Sequence, residues 1–275
     1  MSAASEEPKS RVIVAVGSAF PDPSTLAAAA QLAHAVDGTL AALFVEDIDL
    51  LRLAELPFAF EIGATLPTPR PLATRDVERA FRAQADEIRR ALAEIAHAHR
   101  LDLTFDIVRG RPARVLFEAS VAHDIIVFAS AAARTRSHSP LASVLRNALR
   151  ATAPGARLWH GRTVAAVLQT GPAMRRVLAA AHRLARTNAA ELRLFVAADS
   201  AQDTALADVV NTWLVEQGAT ARIALLQDRA PERVAALLTR AGAHALLWSG
   251  DGDPETAAQV EPLLAVINCP LIVVR

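Results

Sequence analysis

Several residue types and charge features are scarce or missing in this chain of 275 residues. Tyrosine is absent, aromatic residues make up 4% of the chain, and positive and negative side chains balance at 29 each. Nucleic-acid-binding surfaces usually carry excess positive charge and aromatic platforms for bases, so this composition argues against a nucleic-acid partner. No apolar run reaches the ~20 residues that a membrane-spanning helix needs, so we expect no membrane insertion.

Cysteine and histidine are also placed in ways that limit the chemistry of the chain. The single cysteine, Cys269, excludes an intrachain disulfide and a cysteine metal cluster. It precedes Pro270 at the start of an apolar strand, which indicates a buried and unreactive thiol. His97 and His99 lie two positions apart on a predicted helix, a spacing unsuited to a metal pair, so we expect no metal. Residues 1–10 are polar and contain no signal peptide, which predicts a disordered lead-in and a cytoplasmic protein.

The rest of the sequence contains one pattern twice. Short apolar runs, typical of buried strands, alternate with helical patterns in the order β-α-β-α-β-α-β-α-β, and the order is then repeated. The strands are predicted at 11–16, 40–45, 103–108, 124–128 and 156–159 in the first copy, and at 162–168, 192–196, 220–226, 245–248 and 270–274 in the second. This alternation predicts an α/β fold with two tandem open five-stranded parallel sheets, each covered by helices on both faces.

We therefore predict a first domain over residues 11–160 and a second domain over residues 161–275. An insertion at 46–74 distinguishes the first domain from the second. Its apolar side chains include Leu50, Leu53, Leu56, Phe58 and Phe60. A long connection in a compact domain is unusual without a role. The segment is a lid over the site, a docking surface for a protein partner, or a cluster packed on the domain's own sheet.

Two passages make the chain resemble the universal stress protein family. Residues 268–275 are similar to the closing strand of such a domain. After the fourth strand, that family has Gly, two residues, Gly, nine residues, Gly, and then Ser or Thr. The same spacing here falls on Ala129, Ala132, Ala142 and Ser143. The resemblance covers both halves of the chain, and it implies the adenine-nucleotide alpha-hydrolase-like fold and a role in stress response.

The resemblance also implies how the two domains associate. Members of the family commonly pair through the last strand, and Trp159 and Ile272 lie on the two predicted last strands. Only about one residue, near Gly161, separates the domains, which is too short a linker for independent units. We therefore expect an internal pseudo-dimer of the two domains, with a homodimer of the chain as a further possibility.

The glycine motif is altered at every glycine. In ATP-binding members, the glycine loop lets backbone N–H groups approach the phosphates, because glycine has no Cβ and tolerates unusual backbone angles. Three alanines add three methyl groups, and each alanine is penalised at positive φ by roughly 1–2 kcal/mol. The Asp that usually ends strand one is also missing from residues 16–19. We therefore expect a non-catalytic binding or signalling module that binds no cofactor and does not bind ATP in the usual way.

One alternative is an adenine-nucleotide-binding protein with a single site in the first domain. The resemblance and the neighbouring basic residues place that site at Gly17, Ser18, Gly110, Ala129, Ala132, Arg134, Arg136, Ala142 and Ser143. Arg134 and Arg136 would capture an anion ahead of a helix, or they belong to a solvated basic loop. The turn at 109–112 borders the nucleotide pocket in relatives, or it is a simple strand-to-helix turn that suits Gly110.

Two further expectations concern the second domain and partners. In the second domain, residues 249–254 contain two carboxylates that would repel a phosphate, so we expect no nucleotide there. Another alternative is a regulatory subunit that docks a partner protein through the apolar segment at 47–60.

Overall fold

The structure is a computed structural model, and it describes residues 10–17, 23–62, 68–128, 162–197, 202–250 and 254–275. The elements of the first half are β1 (Arg11–Gly17), α1 (Pro23–Ala35), β2 (Thr39–Asp47), α2 (Ile48–Ala54), β3 (Phe60–Ile62), β4 (Pro69–Pro71), α3 (Thr74–His99), β5 (Leu103–Gly110), α4 (Pro112–Ala119) and β6 (Ile125–Phe128). Those of the second half are β7 (Thr163–Leu168), α5 (Met174–Asn188), β8 (Glu191–Ala197), α6 (Gln202–Glu216), β9 (Arg222–Leu226), α7 (Pro231–Ala241), β10 (Ala243–Ser249), α8 (Pro254–Val266) and β11 (Leu271–Val274).

Local sequence patterns account for most of these elements. The apolar residues of α3 recur every three or four positions, which gives one continuous buried stripe. They are Phe81, Ala85, Ile88, Leu92 and Ile95, and all are buried. Pro112 and Pro231 occupy the first turns of α4 and α7, where a missing backbone N–H has no helical partner.

One nine-stranded sheet organises the described part of the chain. Its strand order is β5-β2-β1-β6-β11-β10-β7-β8-β9, and β3 pairs with β4 in a separate hairpin. Every neighbouring pair in the large sheet is parallel except β6 and β11, which are antiparallel. The predicted α/β fold with a parallel sheet is confirmed. The prediction of two separate sheets is wrong, because β11 pairs with β10 on one side and with β6 on the other.

The contact between the two halves also differs from the expectation. Ile272 pairs with Val127 of β6 rather than with the last strand of the first domain. Since β10 and β6 occupy both edges of β11, Ile272 lies inside the sheet and not at an open strand edge. The predicted strand at 156–159 and the predicted boundary at 160 lie outside the described residues, so the division into two domains stays a prediction.

Helices cover both faces of the sheet, as predicted. Strand side chains alternate between the faces, so that Val12 and Val14 of β1 lie in one core while Ile13 lies in the other. The first core includes residues of α1, α2, α3, α5 and α6, and the second includes residues of α4, α7 and α8. Helix α1 of the first half packs directly against α5 of the second half. The two halves therefore share a core as well as a sheet.

Polar contacts reinforce the junction of β6 with β11. The buried carboxylate of Asp124 accepts hydrogen bonds from Arg11 Nε at 3.2 Å, Arg11 Nη2 at 2.7 Å and the backbone N–H of Val121 at 2.7 Å. Arg275 donates from its backbone to the Asp124 carbonyl at 3.0 Å, and its guanidinium donates to the Ser120 carbonyl at 2.6 Å. These contacts tie the end of β11 to the segment that leads into β6.

Candidate functional site

The carboxyl ends of the first-half strands form the edge where the sequence places a nucleotide. Gly17 ends β1, Asp47 ends β2, Gly110 ends β5 and Phe128 ends β6. In open α/β sheets, ligands bind at this edge. The structure describes Gly17 and Gly110 of the predicted site there. The remaining predicted residues lie outside the described part of the chain; they are Ser18, Ala129, Ala132, Arg134, Arg136, Ala142 and Ser143.

Arg109 lies at this edge with its charge already matched. It sits opposite Glu46 in the pairing of β5 with β2. Its Nε and Nη2 donate to Glu46 Oε2 at 3.0 and 2.9 Å, and Nη2 also donates to Glu78 Oε1 of α3 at 3.3 Å. The hydrogen bond to Glu46 and the negative charges of both carboxylates raise the pKa of Arg109 above its ordinary value. Arg109 therefore links β2, β5 and α3.

Arg111 is matched in the same way by the inserted segment. Its Nε donates to Asp49 Oδ2 at 3.0 Å, and its Nη2 donates to Asp49 Oδ1 at 3.3 Å. Asp49 lies in the first turn of α2, where its backbone N–H donates to the capping carboxylate of Asp47 at 2.9 Å. The insertion thus supplies a bidentate partner for Arg111, a geometry that gives the strongest arginine–carboxylate pairs.

Gly110 has a packing reason to be glycine. A Cβ built at this position would lie 2.6 Å from Val115 Cγ2 of α4, which is closer than real Cβ atoms approach a neighbour. A side chain here would force Val115 to shift, so packing against α4 favours glycine at this turn whether or not a ligand is present. This favours the simple strand-to-helix turn over the reading of this glycine as a ligand contact.

The second-half strands end at the opposite edge of the sheet, because β6 and β11 are antiparallel. After β7 and β9, Arg229 Nη1 donates to Gln169 Oε1 at 3.1 Å. Asp228 Oδ1 accepts from the backbone N–H of Ala230 at 2.8 Å, which shapes the turn before α7. The carboxylates predicted to repel phosphate, Asp251 and Asp253, lie outside the described residues.

The insertion divides into a buried side and an exposed side. Leu51 and Ala54 of α2 are buried, and Leu50 is half-buried against the same core. The predicted docking role of Leu50 stays a prediction. On the other side, apolar side chains are between 41% and 70% exposed. We call them the exposed apolar surface; they are Leu53, Leu56, Phe58, Phe60 and Ile62.

Several partners at these positions are not evident from the sequence pattern alone. The sequence does not predict Glu46, Asp49 and Glu78 as partners of the two arginines, because they come from one strand and two helices that meet these arginines only in the fold. A local signal exists for α2, since Asp47 precedes an apolar helical run as a capping residue does. Ile62 has no such signal, because its exposure depends on the hairpin of β3 with β4.

The described residues include no reactive cysteine and no metal-binding cluster. Cys269 is buried, and burial raises the pKa of its thiol to about 12, which leaves it protonated and unreactive at neutral pH. Within the described ranges, no group of three or more His, Cys, Asp or Glu side chains is arranged to hold a metal ion. The helices in those ranges include none that is long and apolar enough to cross a membrane.

Comparison with solved structures identifies the fold. A universal stress protein from Archaeoglobus fulgidus DSM 4304 matches over 96% of both chains, with 12% identity and a TM-score of 0.53. A putative universal stress protein from Pseudomonas aeruginosa UCBPP-PA14 matches 96% of this chain and 92% of its own, with 15% identity and a TM-score of 0.45. The first comparison shows that the chain has the universal stress protein fold. The second, with a TM-score below 0.5, is too weak a likeness to support a conclusion. No protein-family profile and no curated protein sequence matches the chain.

Proposed function

We propose that the chain is a non-catalytic binding or signalling module of the universal stress protein type that does not hold ATP at its first-half edge. The supporting observation is that Arg109 and Arg111 already pair with carboxylates there. A phosphate would have to displace Glu46 and Asp49 from these guanidinium groups and would then lie beside both negative charges. The alanines at the three glycine positions of the motif add a steric obstacle.

The remaining expectations belong to this proposal. The module needs no cofactor and acts in the cytoplasm, with residues 11–160 and 161–275 as its two domains. The antiparallel contact of β6 with β11 and the packing of α1 on α5 support an internal pseudo-dimer of these domains. The universal stress protein fold supports a role in stress response by likeness of fold alone.

Equilibrium dialysis with ATP and Mg²⁺ tests the proposal, with Ser143→Ala as the companion variant. If Ser143→Ala changes the binding of ATP at all, we expect the dissociation constant of that binding in the unaltered chain to be above about 1 mM. The opposite result is a dissociation constant below about 100 μM that Ser143→Ala raises tenfold or more. That result would support the alternative, an adenine-nucleotide site in the first domain.

The exposed apolar surface favours a second function, docking of a protein partner. Contiguous apolar side chains on a monomer mark interaction sites more often than isolated ones do. We propose a second copy of the chain as the partner, because a net charge of zero places no electrostatic repulsion between two copies. The surface would then be self-complementary across a two-fold axis.

Sedimentation analysis tests this second function. We expect the unaltered chain to dimerise and the double variant Leu53→Asp, Phe58→Asp to be monomeric with an unchanged circular dichroism spectrum. Val215→Asp is the control, because Val215 is an apolar side chain on α6 in the other half that is more exposed than Leu53 or Phe58. A dimer that survives the double variant, or a monomeric unaltered chain, would contradict the proposed self-association.

A further inference from the structure

A cleft lies between the two halves of the chain, away from the first-half edge. Its volume is about 480 Å³, within the range of small-molecule pockets. The first half contributes Ser10, Val36, His123 and Ile125 to its lining, and the second half contributes Arg175, Arg176, Ala179, Ala180, Arg183, Trp213 and Val274. Val274 and Ile125 are paired where β11 ends and β6 begins, so the cleft lies at the opposite edge of the sheet from Arg109.

Three guanidinium groups on one side of α5 give this junction cleft its charge. Arg176 and Arg183 are seven residues apart, close to two helical turns, so they lie on the same face of α5. Arg175 precedes Arg176 in the first turn of the helix. Among the side chains that the structure describes, no ion pair joins any of the three to a carboxylate. Helix α5 itself contains no Asp or Glu. Their charge is therefore not matched by any described ion pair, unlike that of Arg109 and Arg111.

The pKa of a neighbouring histidine, His182, is lowered by burial and by this positive potential. His182 lies on α5, and its ring contacts the edge of the Trp213 ring at a centroid distance of 5.9 Å. Burial lowers the pKa of His182, and the positive charges of Arg186 and Arg183 lower it further. The protein thus leaves positive charge concentrated along this helix.

The rest of the lining is apolar or aromatic. Ala179, Ala180 and Val274 form apolar wall, and the partly buried indole of Trp213 offers an aromatic surface. Pockets that recognise small molecules combine an apolar lining with a few convergent polar groups. A phosphate is a dianionic group that accepts hydrogen bonds from several arginine N–H groups at once. A ligand with a phosphate therefore suits three guanidinium groups better than a ligand with a single carboxylate.

We propose that the junction cleft binds a small organic phosphate whose phosphate group is held by Arg175, Arg176 and Arg183. The apolar or aromatic body of the ligand lies against Ala179, Val274 and the Trp213 indole. The first half also lines the cleft, through Val36 and His123 among other residues, so a ligand that fills the cleft contacts both halves and stabilises their association.

Calorimetric titration of the full chain with 1-naphthyl phosphate tests this site. We expect saturable binding with a dissociation constant of about 1 mM or tighter, which is reasonable for a ligand of this size. Inorganic phosphate lacks the aromatic body and 1-naphthol lacks the phosphate, so each should bind at least tenfold more weakly. Trp213→Leu should weaken 1-naphthyl phosphate but leave the weak binding of inorganic phosphate unchanged.

Charge variants locate the binding. Arg175→Gln with Arg183→Gln should weaken 1-naphthyl phosphate at least tenfold, while Arg240→Gln should change it less than twofold. Arg240 is the matched control, because it is an exposed helical arginine on the other face of the sheet. Equal binding in the unaltered chain and the double variant would overturn the proposal. If the double variant does not fold, the comparison of ligands on the unaltered chain decides. The proposal is then overturned if 1-naphthol binds as tightly as 1-naphthyl phosphate.

Discussion

Arginines occupy two contrasting settings in this molecule, the first-half edge and the junction cleft. At the edge, Arg109 and Arg111 pair with carboxylates from β2, α2 and α3. In the cleft, no ion pair joins Arg175, Arg176 or Arg183 to a carboxylate among the described side chains. The same side chain thus holds the fold together in one setting and leaves charge available for an anion in the other. Which setting applies depends on partners that come from distant parts of the sequence.

The ion pair of Arg11 with the buried carboxylate of Asp124 tests whether a paired arginine stabilises the fold. Asp124→Asn removes the charge that Arg11 contacts and weakens the acceptor for Val121 N–H. Because Asp124 is 3% exposed, we expect a loss of about 1–3 kcal/mol in the free energy of unfolding. The measurement is the midpoint of urea unfolding.

Glu118→Gln is the control for that measurement. Glu118 pairs with Arg114 on the exposed surface of α4, and exposed pairs contribute little to stability. We expect its unfolding midpoint to match that of the unaltered chain. Equal losses in the two variants would mean that burial does not distinguish the two pairs.

The contrast between edge and cleft is sharpened by removing the carboxylates at the edge. Glu46→Gln with Asp49→Asn leaves Arg109 and Arg111 without their closest negative charges. We expect the variant to gain a second, weak site for 1-naphthyl phosphate, seen as a rise in stoichiometry from one to two in calorimetric titration. Glu118→Gln, which removes a carboxylate elsewhere, should leave the stoichiometry at one. An unchanged stoichiometry in the double variant would show that the ion pairs of Arg109 and Arg111 are not what prevents phosphate binding at the first-half edge.

The positive potential along α5 predicts the smallest effect, a pH dependence of stability. The pKa of His182 is lowered in the folded chain, so the unfolded chain binds the proton more readily. The contribution of neutral His182 to the free energy of unfolding is therefore complete above the unfolded pKa of about 6.5, and it is lost as the pH falls below that value. His182→Gln should reduce the drop in melting temperature between about pH 7.5 and pH 5.5 by roughly 1 °C, because solvent screens this partly exposed ring.

His97→Gln is the comparison for the pH series, since His97 is exposed in the last turn of α3. The drop in melting temperature of this variant should equal that of the unaltered chain. If His182→Gln and His97→Gln change the drop equally, the arginines of α5 do not act on His182 in the way proposed.

Sequence patterns predicted the elements well and their arrangement less well. The spacing of Phe81, Ile88 and Leu92 predicts α3, because a helical stripe is a local property of the chain. The position of β11 beside β6 could not be predicted, because strand pairing depends on which edges meet in the folded molecule. The insertion was recognised as a departure from the repeat, but the division between buried Leu51 and exposed Leu53 requires the orientation of α2.

The candidate sites show the same limit. The nucleotide residues were placed by a spacing that resembles a family motif, and the structure describes only Gly17 and Gly110 of that set. A sequence signal for the cleft exists, since α5 contains Arg175, Arg176 and Arg183 with no acidic residue. That signal is insufficient alone, because the first-half part of the lining comes from segments that lie at least fifty residues earlier in the chain.

A crystal structure of the chain with 4-bromo-1-naphthyl phosphate tests the central contrast most directly, because the anomalous signal of bromine locates the ligand. We predict a bromine peak in the junction cleft near Trp213, with the phosphate on Arg175, Arg176 and Arg183. A peak at the first-half edge, with the phosphate on Arg109 and Arg111 in place of Glu46 and Asp49, would contradict the account.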